Sequence, residues 1–411
     1  MNLQQQAERI KEASASLRNL SNEKRNTILH KYADKLIAET DTIIAENRKD
    51  LEKAAELSSA MKDRLTLTRE RIQGIARGIE EIKYQSDPLG IILEEKTLKS
   101  GLHMKKVTRP IGVICIIFES RPNVAADCMA LCLKSGNACF LKGGHESYHS
   151  CLILTNLMKE VLKEEDIPED VVMLAENPTH EEMNGLMADR DHIDLLIPRG
   201  SKRLIKSVVE HAKVPVIETG AGVCHVYVDE SADLDMAERI VINAKCSRPS
   251  VCNAMETLLV NETVAPVFLP RIAKALKEKN VLVHADEKAR AIVPEFLEAD
   301  ENSWYTEYND LEMNLKVVRD TEEAVHHIET YGTHHSESIV SEDPQSVKKF
   351  MNGIDSACLY HNASTRFTDG GEFGYGAEIG ISTQKLHARG PMGLNALTTY
   401  TFYLEGNGEI R

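Results

Sequence analysis

The chain has 411 residues, a length typical of two or three domains. Its 49 basic and 64 acidic residues give a net charge of −15, which disfavours binding to nucleic acid or to an anionic membrane, because both are negatively charged. Hydrophobic residues make up 42% and charged residues 27%, so the composition is that of a globular protein and excludes a mainly disordered chain.

The cysteines favour a reducing compartment. Their number, 9, is odd, and no Cys-x-x-Cys pair occurs, so we expect neither a disulfide framework nor a zinc site. The first residues, MNLQQQAERIKEASAS, lack the apolar segment of a secretory signal, and the apolar run at 111–118 is too short to cross a bilayer. We therefore expect a cytoplasmic protein.

The first part of the chain is predicted to be helical. Over residues 3–85, apolar residues such as Tyr32 and Leu36 recur at helical spacing. Residues 91–109 are predicted to form a hairpin, because two alternating stretches flank Lys99-Ser100-Gly101. An exposed hairpin has an edge that needs cover, often from another subunit.

From residue 110 the pattern changes to apolar strands that alternate with helices. This alternation is typical of a parallel sheet buried on both faces, and it predicts a doubly wound α/β domain of the nucleotide-binding type. The predicted strands lie at 112–118, 138–142, 171–175, 193–197 and 215–218. A second, smaller α/β domain is predicted for 229–351, and the chain ends in a β-type run, LTTYTFYLEG.

Cys252 is the leading candidate for a nucleophile. It lies in RPSVCNA, a Pro-containing loop before a predicted strand, and it is close in sequence to Lys245 and Arg248. Nearby positive charges favour the thiolate, which is the reactive form of cysteine. The alternative is that Cys252 is a small buried apolar residue, as we expect for Cys128 and Cys132.

Two turns between a strand and a helix indicate a phosphate site, although the chain has no G-x-G-x-x-G motif. They contain Lys142-Gly143-Gly144 and Gly200-Ser201. The N–H groups that open a helix bind phosphate. Either turn alone is also compatible with an ordinary strand–helix connection, whereas two of them in one parallel sheet favour a dinucleotide.

Histidine pairs and one glutamate remain open to more than one interpretation. His326-His327 and His334-His335 suggest a metal, but neighbouring residues point in different directions and no H-E-x-x-H motif occurs. We therefore expect a structural role, or polar contacts around the site, and no metal. Glu218 ends a predicted strand, where it could act as a base or cofactor contact, or equally as a cap.

Four segments carry a resemblance to a known family. They are RPIGVICIIFESRPNVAADCMALCLKSGNACFLKGGHES, RPSVCNAMETLL, YGTHHSESI and DGGEFGYGAEIGISTQKLHARGPMGL. With them the chain resembles the gamma-glutamyl phosphate reductase family of the aldehyde dehydrogenase superfamily, over essentially its whole length, and residues 318–339 resemble that family's signature region.

The resemblance implies an aldehyde dehydrogenase-like α/β fold with three parts. A cofactor-binding domain would cover residues 1–228, including the 91–109 hairpin as an oligomerisation element, and a catalytic domain would cover 229–351. Residues 352–388 would return to the cofactor domain, and 389–411 would form an oligomerisation tail. A homo-oligomer is therefore expected.

The resemblance also implies a reaction. It is the NADPH-dependent reduction of L-glutamyl 5-phosphate to L-glutamate 5-semialdehyde and phosphate through a Cys252 thioester, the second step of proline biosynthesis from glutamate. The upstream glutamate kinase is a candidate partner. One alternative is a hydrolytic NAD-dependent aldehyde dehydrogenase. Glu218 favours it, whereas residues 318–339 and the altered region around Asn123 disfavour it. Another is a non-catalytic nucleotide-binding module with an inert Cys252.

Roles for individual residues follow from the same resemblance. Asn123 corresponds to the amide that stabilises the oxyanion beside Cys252, although it follows Arg121-Pro122 in place of the superfamily's usual pattern. Arg121 is an alternative contact for a substrate carboxylate or phosphate. The implied cofactor contacts are Lys142 for the adenosine ribose, Gly200 and Ser201 for the pyrophosphate, Glu307 for the nicotinamide ribose, and Glu218, which corresponds to the base of hydrolytic members.

The implied substrate pocket lies in NASTRF. Ser364 and Thr365 belong to its loop, and Arg366 would pair bidentately with the substrate α-carboxylate. Arg248 is a further substrate-binding candidate. Lys142 with His145 would suit the 2′-phosphate of NADP(H), because both side chains can carry positive charge.

Overall fold

The structure is a computed structural model that describes residues 2–54, 56, 59–119, 121–176 and 178–411. The chain divides into two compact units. Unit 1 comprises Met1–Thr219, Gly374–Gly380 and Met392–Arg411, and unit 2 comprises Gly220–Phe373 and Ile381–Pro391. These bounds differ from those of the domains proposed from sequence, which stay a prediction.

The α-helices and strands are numbered in chain order. The helices are α1 Leu3–Ser14, α2 Asn22–Ala38, α3 Thr40–Lys53, α4 Ser59–Leu65, α5 Arg69–Tyr84, α6 Pro122–Lys134, α7 Tyr148–Glu164, α8 His180–Ala188, α9 Lys202–His211, α10 Leu234–Cys246, α11 Ala265–Glu278, α12 Glu287–Ile292, α13 Thr321–Tyr331 and α14 Pro344–Gly353. The strands are β1 Ile92–Thr97, β2 His103–Pro110, β3 Val113–Phe118, β4 Ala138–Lys142, β5 Val172–Leu174, β6 Leu195–Arg199, β7 Cys224–Val228, β8 Met255–Asn261, β9 Leu282–Ala285, β10 Leu297–Glu298, β11 Glu312–Val318, β12 Ser336–Val340, β13 Cys358–His361, β14 Ile381–Ser382, β15 Gly390–Pro391 and β16 Thr398–Glu405.

Unit 1 contains a parallel sheet in the order β5-β4-β3-β6. Its central strand β3 is buried along its whole length, as expected for an apolar strand covered on both faces. Helices α6 and α7 pack against each other and against α2, while α1 contacts β3, β4 and β5 and also packs on α8. The predicted doubly wound arrangement is therefore confirmed. The strand predicted at 215–218 is reduced to a single bridge between Leu196 and Val216.

The predicted hairpin is confirmed as β1 and β2, which pair antiparallel. The turn uses Gly101, whose φ of +95° is a left-handed conformation that favours glycine. Strand β16 pairs antiparallel with β2 from Thr398 opposite Pro110 to Glu405 opposite His103. The two segments proposed as an oligomerisation element therefore form one sheet, β1-β2-β16. Its role in oligomerisation stays a prediction.

Unit 2 contains a second parallel sheet, in the order β10-β9-β11-β8-β7-β12-β13. Strand β7, which lies within the proposed cofactor domain 1–228, pairs with β8 and β12 of this sheet. Buried apolar residues of β7, β8 and α11, such as Val226, Leu258 and Phe268, form its core. Within the described residues, no helix is both long and apolar enough to cross a membrane.

Candidate active site

Cys252 lies in a loop of unit 2 between the end of α10 and the start of β8, residues 247–254, here called the nucleophile loop. A turn closed by the Ala254 N–H on the Val251 carbonyl oxygen, at 3.0 Å, surrounds it. Cys252 is half-buried, whereas Cys128 and Cys132 are fully buried, as predicted for core residues. Cys252 is thus accessible enough to act as a nucleophile, a role that stays a prediction.

The base of the nucleophile loop is closed by a buried ion pair. Lys245, near the end of α10, and Glu256, on β8, are both 0% exposed, and Lys245 Nζ lies 2.7 Å from Glu256 Oε2. Burial raises the pKa of Glu256 to about 7, while Lys245 opposes this shift. The sequence suggested that Lys245 would add positive charge next to Cys252. It is instead paired with Glu256, because a buried ammonium needs a partner.

Arg366 is held against the nucleophile loop by side chains that lie on either side of Cys252. Its Nε donates to Ser247 Oγ at 3.0 Å, and its Nη1 donates to Asn253 Oδ1. Residues 364–368, here called the substrate loop, therefore lie along the nucleophile loop. This contact brings together two of the regions that sequence singled out, Cys252 and Arg366.

Two positively charged side chains, Arg248 and Arg366, lie at the nucleophile loop. Burial lowers the pKa of Arg366 and repulsion from Arg248 lowers it further, while Asp369 and Cys252 raise it. Arg248 is exposed and Arg366 is half-buried. Two guanidinium groups beside a thiol provide the charge that an anionic substrate would require, and their role in substrate binding stays a prediction.

The other predicted residues of the substrate loop are buried and bonded within the protein. Ser364 is 4% exposed, and its Oγ accepts a hydrogen bond from the Arg366 N–H at 3.3 Å. Thr365 is 0% exposed, and its Oγ1 donates to the Asn253 carbonyl oxygen at 2.7 Å. Both hydroxyls therefore shape the loop, while Arg366 is the residue of the three that remains accessible to a substrate.

Glu307 lies beside the nucleophile loop through Gly222. The Glu307 Oε1 atom accepts a hydrogen bond from the Gly222 N–H at 2.8 Å. The backbone of Gly222 closely approaches the carbonyl oxygen of Cys252, a position that has no room for a Cβ. The carboxylate predicted to bind the nicotinamide ribose and the predicted nucleophile are thus neighbours in unit 2.

The predicted phosphate contacts of unit 1 lie at the carboxyl ends of its parallel strands, where ligands bind in open α/β sheets. Lys142 ends β4, and Gly200 and Ser201 follow β6. The carboxylate of Glu119 occupies this turn, since it accepts from the Ser201 N–H at 2.7 Å and from Ser201 Oγ at 3.1 Å. The start of α9 thus already binds a negatively charged group, as expected of a phosphate site.

Asn123, Arg121 and Glu218 also belong to unit 1, in contrast to Cys252. Asn123 lies in the first turn of α6, and its Nδ2 donates to Asp127 Oδ2 at 3.2 Å. Burial raises the pKa of Asp127 to about 6. Arg121 occupies the N-cap position of α6 without a capping hydrogen bond from its side chain, and Glu218 is half-buried just before the division between the units. Their proposed roles stay predictions.

The histidine pairs point in different directions, as predicted. His326 and His334 are exposed, whereas His327 and His335 are buried. His335 Nδ1 lies 2.8 Å from Ser336 Oγ. Among the described residues, no group of three or more His, Cys, Asp or Glu could hold a metal ion.

Sequence reasoning missed several residues of this region. Asn253 and Gly222 contact the predicted site directly, and Glu119 occupies the predicted phosphate turn. Asn253 adjoins Cys252, and Gly222 is the last glycine of Thr219-Gly220-Ala221-Gly222, so both lie in segments already singled out. Their contacts, however, join distant parts of the chain, and no local pattern predicts them.

Comparisons with known proteins agree with this fold. A sequence model of the aldehyde dehydrogenase family matches residues 2–294. The chain is 52% identical over 407 residues to gamma-glutamyl phosphate reductase of Carboxydothermus hydrogenoformans, covering 98% of each chain, and 50% identical over 405 residues to that of Clostridium perfringens, also covering 98% of each. The crystal structure of gamma-glutamyl phosphate reductase from Thermotoga maritima has a TM-score of 0.97 at 45% identity and covers 100% of both chains.

The parallel sheets of the two units are those of an aldehyde dehydrogenase-like protein, and the chain belongs to the aldehyde dehydrogenase family. Within that family, the full-length relatives named above are gamma-glutamyl phosphate reductases.

Proposed function

We propose that this chain reduces L-glutamyl 5-phosphate to L-glutamate 5-semialdehyde and phosphate with NADPH, the second step of proline biosynthesis from glutamate. Full-length relatives at 52% and 50% identity support this proposal. The observation that carries it is the placement of Arg248 and Arg366, two guanidinium groups, at the loop of the half-buried Cys252. A substrate with both a carboxylate and an acyl phosphate fits such a site because each of its ends is anionic.

In the proposed reaction, the Cys252 thiolate attacks the acyl carbon of the substrate. A carbon–sulfur bond forms, the carbon–oxygen bond to phosphate breaks, and phosphate leaves with the bonding electron pair. Arg366 binds the α-carboxylate and thereby orients the acyl carbon toward the sulfur. The product of this step is a thioester on Cys252.

The nicotinamide cofactor, when bound, supplies the hydride that reduces this thioester. The resulting thiohemiacetal oxyanion then collapses, which releases the aldehyde and restores the Cys252 thiolate. We assign stabilisation of the oxyanion to the Cys252 N–H, while the corresponding role of the Asn123 amide stays a prediction from the resemblance.

The residues present fit a dinucleotide phosphate. Ser201 offers its N–H and hydroxyl to an anion at the start of α9, and Gly200 has no side chain to obstruct it. Lys142 lies at the same edge of the sheet. We assign these three residues to the cofactor, together with Glu307 for the nicotinamide ribose and Glu218 as a further contact.

The hydrolytic alternative is not favoured, because the full-length relatives are reductases of an acyl phosphate by name. An assay of glutamate 5-semialdehyde oxidation, with and without inorganic phosphate and with NADP⁺ or NAD⁺, tests the proposal. We expect turnover that requires phosphate and prefers NADP⁺. Phosphate-independent formation of glutamate would contradict the proposal and support a hydrolytic enzyme.

The Cys252→Ala variant tests the nucleophile. We expect it to lose reduction while it retains nearly all NADPH binding, measured by the fluorescence of the reduced nicotinamide. Cys246→Ala is the matched control, because Cys246 is the other partly exposed cysteine and lies just before the nucleophile loop. More than trace turnover by Cys252→Ala would rule out the covalent step.

We also infer that the β1-β2-β16 sheet contacts another copy of the chain. Its exposed aromatic residues Tyr400, Phe402 and Tyr403 support this inference, since such residues are common in interfaces. Light scattering of the wild type and of a Phe402→Glu variant tests it, and an unchanged monomer in both would contradict it. A complex with the upstream glutamate kinase stays a prediction.

A further inference from the structure

Asn253 connects the nucleophile loop to the substrate loop. It follows Cys252 directly, and it is 3% exposed. Its Oδ1 accepts a hydrogen bond from Arg366 Nη1, and its Nδ2 donates to the carbonyl oxygen of Thr368 at 2.8 Å. Both ends of the side-chain amide are therefore bonded to the substrate loop.

The main chain of Asn253 strengthens this connection. Its carbonyl oxygen accepts a hydrogen bond from Thr365 Oγ1 at 2.7 Å. On the other side of the nucleophile loop, Ser247 Oγ accepts from Arg366 Nε at 3.0 Å. The guanidinium is thus held at two of its nitrogen atoms. Because a guanidinium carries five N–H donors in one plane, it can still donate to a carboxylate.

The far side of the substrate loop is also held in place. Thr368 is fully buried, and its Oγ1 lies 2.6 Å from Ser336 Oγ and 2.7 Å from the Tyr360 hydroxyl. Ser336 belongs to β12 and Tyr360 to β13. The residue that receives the Asn253 amide is therefore bonded to the sheet, so Asn253 ties the nucleophile loop to a rigid support.

We propose that Asn253 is a positioning residue that sets the distance between the Cys252 sulfur and the Arg366 guanidinium. This distance selects substrates by the number of carbon atoms between the reacting carbonyl and the carboxylate. The inference rests on the proposed function, because it requires Cys252 to be the nucleophile and Arg366 to bind the α-carboxylate.

The physical reason is the sensitivity of acyl transfer to geometry. Binding energy at the carboxylate accelerates the reaction only when the acyl carbon is then within reach of the sulfur, and small displacements reduce the rate strongly. Without the Asn253 amide, Arg366 keeps its charge but is held to the nucleophile loop through Ser247 alone, so its position relative to Cys252 is less well defined. A substrate one carbon shorter then becomes almost as acceptable as the correct one.

The test compares three aldehydes in the phosphate-dependent oxidative assay. Glutamate 5-semialdehyde is the expected substrate, aspartate 4-semialdehyde is one carbon shorter, and butanal has the carbon chain without the amino and carboxyl groups. For Asn253→Ala we expect kcat/KM with glutamate 5-semialdehyde to fall by roughly tenfold to a hundredfold, the effect of losing a hydrogen bond to a charged group. The preference over aspartate 4-semialdehyde falls by at least about fivefold, while butanal oxidation changes much less.

An Arg366→Ala background completes the test. There, Asn253→Ala should cause little further loss of the preference for glutamate 5-semialdehyde, because the group that Asn253 positions is already absent. An equal loss on all three aldehydes would overturn the inference, because it would mean that Asn253 only maintains the Cys252 turn. Additive effects of the two substitutions on the preference would also overturn it.

Two further variants guard against a folding defect. Ser247→Ala removes the second contact of Arg366 from an exposed position, so it should fold normally and reduce the same preference by a few-fold. Asn352→Ala, at an exposed asparagine of α14, is the control and should leave the preference unchanged. If the wild type shows no phosphate-dependent turnover, the proposed function is overturned. If Asn253→Ala and Ser247→Ala are both active and keep the wild-type preference for glutamate 5-semialdehyde, only this inference is overturned.

Discussion

Gly222 lies so close to Cys252 that a Cβ at Gly222 would overlap the Cys252 carbonyl oxygen. The overlap is with backbone, which cannot rotate away as a flexible side chain can. The same glycine donates its N–H to Glu307 Oε1 at 2.8 Å. The backbone of Gly222 is thus the point of contact between the nucleophile loop and a predicted cofactor contact.

Substitution of Gly222 should therefore displace the nucleophile loop. For Gly222→Ala we expect a loss of kcat of at least about a hundredfold, because a misplacement of roughly 1 Å has such an effect. Gly185→Ala is the matched control, since a Cβ at that helical glycine meets open space. Steady-state rates and melting temperatures of the two variants check the prediction, and near-wild-type kcat in Gly222→Ala would contradict it.

The buried pair of Lys245 and Glu256 predicts an asymmetric response to substitution. Lys245→Met leaves the buried Glu256 carboxylate without its partner and should lower the free energy of unfolding by about 3–5 kcal/mol. The double variant Lys245→Met with Glu256→Leu should recover most of that loss, since both charges are removed.

The exposed pair of Lys277 and Glu295 gives the comparison. Both side chains are largely exposed, so Lys277→Met should lower the free energy of unfolding by less than about 1 kcal/mol. Urea unfolding of the three variants measures these differences. A double variant less stable than Lys245→Met would show that the ion pair itself is needed.

His327 predicts a loss of stability in mild acid. Burial lowers its pKa to about 2, and repulsion from His225 and Lys316 contributes to the shift. The unfolded chain takes up a proton at this residue below its ordinary pKa of 6.5, while the folded chain does not. This group therefore makes stability fall as the pH decreases from about 6.5 toward about 2, by about 1.4 kcal/mol per pH unit.

His327→Phe should reduce that pH dependence. The ring packs against Trp304 with ring centroids 5.2 Å apart, so an apolar aromatic replacement suits the site. Between pH 7.5 and pH 5, we expect the variant to lose roughly 2 kcal/mol less stability than the wild type. The control is His326→Gln at the exposed neighbour, and equal slopes for His327→Phe and wild type would refute the assignment.

Glu119 predicts an effect on cofactor affinity. Its carboxylate bonds the Ser201 N–H and hydroxyl, so it competes with any phosphate for the start of α9. We expect Glu119→Gln to tighten NADPH binding several-fold, more strongly at low salt, because a negative charge is removed. Glu181→Gln, at an exposed residue of α8, should leave the affinity unchanged. Weaker NADPH binding by Glu119→Gln would indicate that Glu119 contacts the cofactor.

Much of the fold could be predicted from local sequence. The alternation of apolar strands and helices predicted the parallel sheet of unit 1, and Lys99-Ser100-Gly101 predicted the hairpin. The placement of β7 in the second sheet was not predicted, because strand pairing is a long-range property. Residues 224–228 are all buried and, apart from His225, hydrophobic. Such a strand suits either parallel sheet, so the pattern could not distinguish between them.

The site was predicted less completely. Cys252 could be selected by its residue type and its loop, and Arg366 by the resemblance alone, and unit 2 brings their loops together. Ser364 and Thr365 were selected in the same way, but their hydroxyls are bonded within the protein. Whether a polar side chain faces a ligand or the protein interior depends on tertiary contacts, which the sequence alone does not reveal.

The uneven exposure of the cysteines has a practical consequence. Of the 9 cysteines, all of which lie in the described ranges, Cys246 and Cys252 are partly exposed and the others are buried. A Cys246→Ser form would thus present a single partly exposed sulfur, and a mass-tagged alkylating reagent would add one label per chain. The labelled fraction would give the proportion of chains whose Cys252 is reactive. The decrease in the rate of labelling as a ligand is added would give the dissociation constant of that ligand without any turnover measurement.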